Sequence, residues 1–201
     1  MDLNTWKSLI TSGEPSDRSA AADVIPDGGT AEELVPYLAI CLKDPDSLVR
    51  TCAAETIGCF PGDAARVALL EALASESDPL TRAYLLSSLG GIGGLEDVRV
   101  ILDELGGESH PIIRLHGATG LLSCVQRHWY ATMKSALMAA DDAAKGTSAS
   151  DLLNYVEEHL SVFEEIAVLV EEAAPTTETR TTLDKLSEIK KLISSKLRES
   201  G

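Results

Sequence analysis

Aromatic side chains are scarce in this 201-residue chain, at 4 per cent against 44 per cent hydrophobic residues overall. A core with few rings has to be built from Ala, Leu, Val and Ile, a palette that suits helices packed at close range. No run approaches the roughly 18 apolar residues that a membrane-spanning helix requires. The opening "MDLNTWKSLITSGEPSDR" lacks a basic start, an apolar block and a small-residue cleavage site, so secretion by a signal peptide is not expected. Cys41, Cys52, Cys59 and Cys124 form no CxxC pair and fall mostly inside apolar helical pattern, which predicts buried thiols in a reducing cytoplasm. His110, His116, His128 and His159 form no HExxH and no Cys/His zinc spacing, so neither a metal nor a cofactor is expected. Positive charge is also short: 17 Lys and Arg against 32 Asp and Glu leave a net charge of −15. That balance opposes binding to nucleic acid and to anionic membranes.

What the chain has is a repeat. Arginine recurs every 32 residues, at Arg18, Arg50, Arg82 and Arg114. Seven residues after each stand Ile25, Ile57, Leu89 and Leu121, and three after stand Ala21, Ala53, Leu85 and Gly117. Trp6, Leu38, Leu70 and Leu102 form a column upstream, and Leu9, Cys41, Leu73 and Leu105 another. Within each unit the apolar spacing is three and four, which is helical. Pro15, Pro79 and Pro111 stand three residues before their arginines, at the first helical position where a missing N–H costs nothing. Asp46 and Asp78, just ahead, suit N-caps.

Each unit therefore reads as a helical hairpin: 3–12 with 15–25, 31–43 with 46–58, 63–75 with 79–90, and 95–105 with 111–124. Glycines, including the "GGIGG" of 90–94, supply the turns between units; that motif follows a helix and lacks a Lys-Ser/Thr ending, so it is not a phosphate loop. One hairpin cannot bury its apolar face alone, so the hairpins must stack into an α-solenoid. "DPDSLVRTCAAETIG", "SDPLTRAYLLSSLGGIGG" and "SHPIIRLHGATGLL" resemble the second-helix signature of bacterial HEAT repeats, an acidic-Pro entry followed by Val-Arg, Ala and Leu-Gly. The resemblance covers about residues 3–124. It departs from the pattern at Asp17, where an apolar residue is usual, and at Gly117 and Gly120. Metal oxygenases with HEAT-like repeats use repeated His-Glu dipeptides, which this chain lacks.

Beyond residue 124 the period fades, with Lys134 and Gly146 in the apolar and arginine columns. A transition helix and linker are expected over 125–148. An acidic amphipathic helix with a seam of Leu153, Val156, Leu160, Phe163, Ala167 and Val170 follows, then a basic one carrying Leu183, Leu186, Ile189, Ile193 and Leu197. The fold class is thus all-α, with a HEAT-like solenoid over 1–124 and an antiparallel helical hairpin over 149–201. That hairpin could cap the solenoid, form a homodimer through its seam, or recruit a partner.

At about 100° per residue, the positions one before, three after and seven after each arginine share a face that must be the core. The other side carries Leu48 and Thr51, Leu80 and Ala83, Ile112 and Leu115, with Glu55 at the edge. These residues are expected either to bind a partner along the concave wall or to pack sideways against the next repeat. Cys52, Tyr84 and His116 share another column, read as a partly buried packing column rather than a metal or catalytic cluster. The expected function is a non-enzymatic cytoplasmic scaffold or adaptor for another protein. The alternatives are an acidic immunity or inhibitor protein that occludes a basic toxin or enzyme, and, less favoured, a HEAT-like lyase or other enzyme.

Overall fold

The structure, a computed structural model, describes residues 1–105, 110–117, 119–121, 123, 124, 127 and 184. The chain divides into two compact units, Met1–Leu121 and Leu122–Gly201. The expected domain boundary fell at residue 124, three residues beyond the end of the first unit. The expected transition helix, linker, hairpin and dimer seam over 125–201 lie outside the described residues.

In the first unit the short apolar periods become short helices: α1 (Leu3–Ile10), α2 (Pro15–Ala22), α3 (Ala31–Cys41), α4 (Ser47–Ile57), α5 (Asp63–Ser75), α6 (Pro79–Ile92) and α7 (Leu95–Leu105). Residues 111–117 are helical as well. Several start where the sequence offers a reason. The Asp46 carboxylate accepts the N–H groups of Leu48 and Val49, Asp78 accepts that of Thr81, and Pro15 and Pro79 open α2 and α6. In the fourth unit His110 takes the same place, its Nδ1 accepting from the Ile112 N–H at 3.3 Å. Pro36 lies inside α3. A proline there removes one ladder hydrogen bond, and burial of Leu34, Val35 and Leu38 on the same helix offsets it.

The odd-numbered helices α1, α3 and α5 pair with the even-numbered α2, α4 and α6 that follow them, and the even-numbered helices lie side by side, α2 on α4 and α4 on α6. Between the layers runs an aliphatic core. Val49, Ala53, Ala54, Ile57, Leu85, Leu86, Leu89 and Leu121 are all at most 1 % exposed. Trp6, the large ring among them, is fully buried; its Nε1 donates to the Ala21 carbonyl at 2.7 Å, and Tyr37 meets it edge-on at 5.6 Å. Its neighbours could not leave an indole N–H unpaired without losing about 1–3 kcal/mol.

Two expectations are corrected. α2 ends at Ala22, so Ile25 is 49 % exposed and does not continue the buried column of Ile57, Leu89 and Leu121. The "GGIGG" motif is only half a turn: Gly90, Gly91 and Ile92 belong to α6, and the helix stops at Gly93. Gly90 serves a different purpose, for a Cβ placed there would collide with the backbone of Gly120. Glycine at both positions lets two helices touch main chain to main chain.

Candidate partner-binding surface

The arginine column is structural. Arg18 grips Asp44 with two parallel hydrogen bonds, Nε to Oδ2 at 2.7 Å and Nη2 to Oδ1 at 2.9 Å, while its Nη1 donates to the carbonyls of Ser12 and Gly13. Arg50 repeats this one unit on: Nε and Nη2 reach Glu76 at 2.7 and 3.1 Å, and Nη1 reaches the carbonyls of Asp44 and Pro45. Arg82 donates to the carbonyls of Leu73 and Glu76 and pairs with Glu104 at 2.5 Å. Each guanidinium closes the loop of its own hairpin and clamps an acid of the next, as its planar fork allows. Hydrogen bonds from Arg18 hold the Asp44 carboxyl below the usual carboxylate range, against the opposing effect of burial. Burial pushes Glu76 up, yet hydrogen bonds from Arg50 and from the N–H groups of Asp78 and Ser77 outweigh it and leave the carboxyl lowered. A second clamp joins the odd-numbered layer, where Arg66 holds the buried Asp97 through two bonds of 2.6 Å.

Contacts between neighbouring even-numbered helices decide what remains outside. The residue just after the arginine meets the residue just before the next arginine: Thr51 and Thr81 share a hydrogen bond of 2.9 Å between their hydroxyls. Near the helix ends Gly58 abuts Ser88, as Gly90 abuts Gly120. Two sides of each even-numbered helix are thereby sealed. The arc left open consists of positions spaced i, i+4, i+7, namely Ser16 and Ala20 on α2 with Asp23 at its C-cap, Leu48, Cys52 and Glu55 on α4, and Leu80, Tyr84 and Ser87 on α6. The same register in the next helical residues gives Ile112, His116 and Thr119. Every one of these positions is exposed or half-buried.

The seven expected surface residues divide accordingly. Leu48 is 58 % exposed, Leu80 42 % and Leu115 52 %, and Glu55 is exposed; Ile112 is half-buried. Thr51 and Ala83 are not on the surface, at 7 % and 0 % exposure, because they form the lateral seam with the adjoining helix. Sideways packing, the other expectation for these columns, holds for those two. Leu115 stands in their column but remains outside. The column of Cys52, Tyr84 and His116, read from sequence as packing, lies in the middle of the open arc. The Tyr84 and His116 rings meet there with centroids 5.0 Å apart, tilted by 42°. The i, i+4, i+7 spacing beginning at Leu48 was the signal that would have found it.

Charge on this arc is negative. Asp23 and Glu55 make no ion pair among the described residues, whereas the nearby arginines are spent on Asp44, Glu76 and Glu104. Burial raises the Cys52 thiol above its ordinary value, and the charges of Asp23 and Glu55 raise it further. Cys41, more deeply buried, is pushed up to about 11. Both thiols therefore stay protonated near neutrality. Among the described residues no group of three or more His, Cys, Asp or Glu side chains could hold a metal ion, and no helix is long and apolar enough to cross a membrane.

This geometry is that of an α-solenoid built from helical hairpins with an arginine clamp between units. A family model described as HEAT repeats matches residues 3–90, and over that span the chain is similar to HEAT repeats. Repeats of this kind stack into extended surfaces that generally mediate contact with other proteins. No curated protein matches the chain.

Proposed function

We propose that this protein is a non-catalytic binding module that docks another protein across the open arc of its even-numbered helices. The observation that carries the reading is the ridge of Leu48 and Leu80, two large apolar side chains left outside at the same register of successive repeats. A recurring apolar ridge bordered by polar positions is what an interaction surface requires and what a solvated face does not. Because the ridge stands on helices clamped by Arg50 and Arg82, docking orders little of this protein's own chain and sacrifices little entropy. The reading places the module in a reducing cytoplasm, where an exposed thiol such as that of Cys59 stays free.

The test is affinity capture from the native source with the full chain and with Leu48→Asp and Leu80→Asp. A partner held by the wild-type chain at both low and high salt and lost by both variants is the expected result. Capture that survives both substitutions in folded protein removes the surface. The net charge of −15 supports a second reading, an acidic inhibitor that occludes a basic toxin or enzyme. In that case salt alone abolishes capture, and the ridge substitutions do not.

A further inference from the structure

The open arc has three parallel columns, and their spacing constrains what can lie on it. Helices packed side by side stand about 8–10 Å apart, so Leu48, Leu80 and Ile112 offer apolar points at that interval across the repeats. An α-helix rises about 1.5 Å per residue and so advances about 10.5 Å in seven residues, returning to nearly the same face. An extended strand covers the interval in about three residues at 3.3 Å each, but three is odd and turns the side chain to the opposite face. A helix laid across the repeats, with apolar residues at i, i+7 and i+14, therefore meets successive rungs without strain. A strand does not.

The width of the arc agrees. From Leu48 to Glu55 is seven residues along α4, or about 10.5 Å, which is close to the roughly 10–12 Å diameter of a helix with its side chains. One such helix, seated over the middle column of Cys52, Tyr84 and His116, touches the apolar ridge with one flank and the Asp23–Glu55 side with the other. The ridge begins only in the second repeat, since its place in the first is held by the small polar Ser16. The carboxylates are confined to the first two repeats, since Ser87 and Thr119 take their places in the next two. The surface is thus acidic at one end and apolar at the other, and Arg18, Arg50 and Arg82, bound to Asp44, Glu76 and Glu104, do not neutralise its acidic end.

We infer that the partner segment is a cationic amphipathic α-helix of about 15 residues or more, lying across the even-numbered helices with apolar side chains at heptad spacing on Leu48, Leu80 and Ile112. Its Lys or Arg residues face Glu55 and Asp23, and a cation passing over the middle column also meets the Tyr84 ring face. This rests on the docking surface proposed above and adds the shape and charge of the occupant.

Fluorescence anisotropy of synthetic peptides with the full chain tests it. The probe carries Leu at i, i+7 and i+14 and Lys at i+3, i+6, i+10 and i+13, all on one flank of the Leu stripe; a control of identical composition keeps the Lys positions and carries Leu at i, i+5 and i+9. The probe should bind saturably and the control about tenfold or more weakly, the value of one or two buried leucines. Leu80→Asp should weaken the probe by a similar factor even though it adds negative charge. Glu55→Gln should weaken it about two- to fivefold, while Glu32→Gln, which removes the same charge from the exposed first turn of α3, should leave it unchanged. Equal binding of probe and control, or full binding by a folded Leu80→Asp variant, overturns the inference. A captured partner that is lost on Leu80→Asp but docks through an extended or anionic segment overturns the helical occupant and leaves the docking surface standing. A partner whose capture survives both ridge substitutions removes the surface itself.

Discussion

Arg50 and Leu48 stand two residues apart on α4 and answer to different neighbours. Arg50 belongs to the sealed side, where Arg50 and Thr51 bond to Glu76 and Thr81 of the next repeat; its column reads Arg18, Arg50, Arg82, and the seam beside it reads Ser19, Thr51, Ala83. Leu48 belongs to the open side, where the columns read Ser16, Leu48, Leu80, Ile112 and Ala20, Cys52, Tyr84, His116. The arginine column keeps one chemistry from Arg18 to Arg82 because each must reach an acid of the next unit, and the seam beside it stays small at Ser19, Thr51 and Ala83. The open columns owe nothing to the stack, so the large apolar residues recurring at Leu48 and Leu80 need another reason.

The contrast can be broken from the sealed side first. Arg50→Ala removes a bidentate partner from Glu76, whose side chain is 4 % exposed, and uncaps the loop carbonyls of Asp44 and Pro45. A loss of about 3 kcal/mol in urea unfolding is expected, near the lower end for a broken buried pair because the guanidinium itself is partly exposed. An unchanged midpoint would show that the clamp does not hold the stack. Acid should reach the same contacts. The carboxyls of Asp44 and Glu76 are lowered in the folded chain, so their contribution is complete above about pH 4–4.5, the ordinary carboxylate range. It is lost as the pH falls through their lower folded values. Thermal melts from pH 6 down to 2 should show stability falling in that window, with a shallower fall in Arg50→Ala.

Gly90→Ala comes next. The new methyl would press on the Gly120 backbone, which has no side chain to swing aside, and about 2 kcal/mol should be lost. Asp46→Ala deletes the carboxylate that accepts from Leu48 and Val49 and should cost about 1 kcal/mol. The smallest effect on stability belongs to the open side: Leu80→Asp should shift unfolding by no more than about 0.5 kcal/mol while abolishing partner capture. A large destabilisation there would mean that Leu80 serves the stack and not a partner.

The hairpins were legible in the sequence because their signals lie within a few turns of chain: apolar spacing throughout, Asp caps on α4 and α6, and prolines opening α2 and α6. The arginine clamp was legible as a tendency, since a fourfold recurrence near helix starts implies a contact every repeat makes. Its partners were not, because Asp44 and Glu76 lie 26 residues from Arg18 and Arg50 and are brought to them only by stacking. For the same reason Thr51 and Ala83 were placed outside: a helical wheel knows the helix that pairs within the hairpin, but not the one that arrives from the next unit. Gly90 was read as a turn because glycine usually ends helices, whereas here its missing side chain admits Gly120. The ridge of Leu48 and Leu80 was legible because large apolar residues on the solvent side contradict their surroundings in any fold.

The clamp also has a direction, since each arginine reaches forward to an acid of the following unit. At the position corresponding to Asp44 and Glu76 the first repeat holds Ser12, whose hydroxyl donates to Asp17 at 2.9 Å. The hairpin loops closed by Arg18, Arg50 and Arg82 are therefore each completed by a carboxylate that arrives only when the following unit has packed in place.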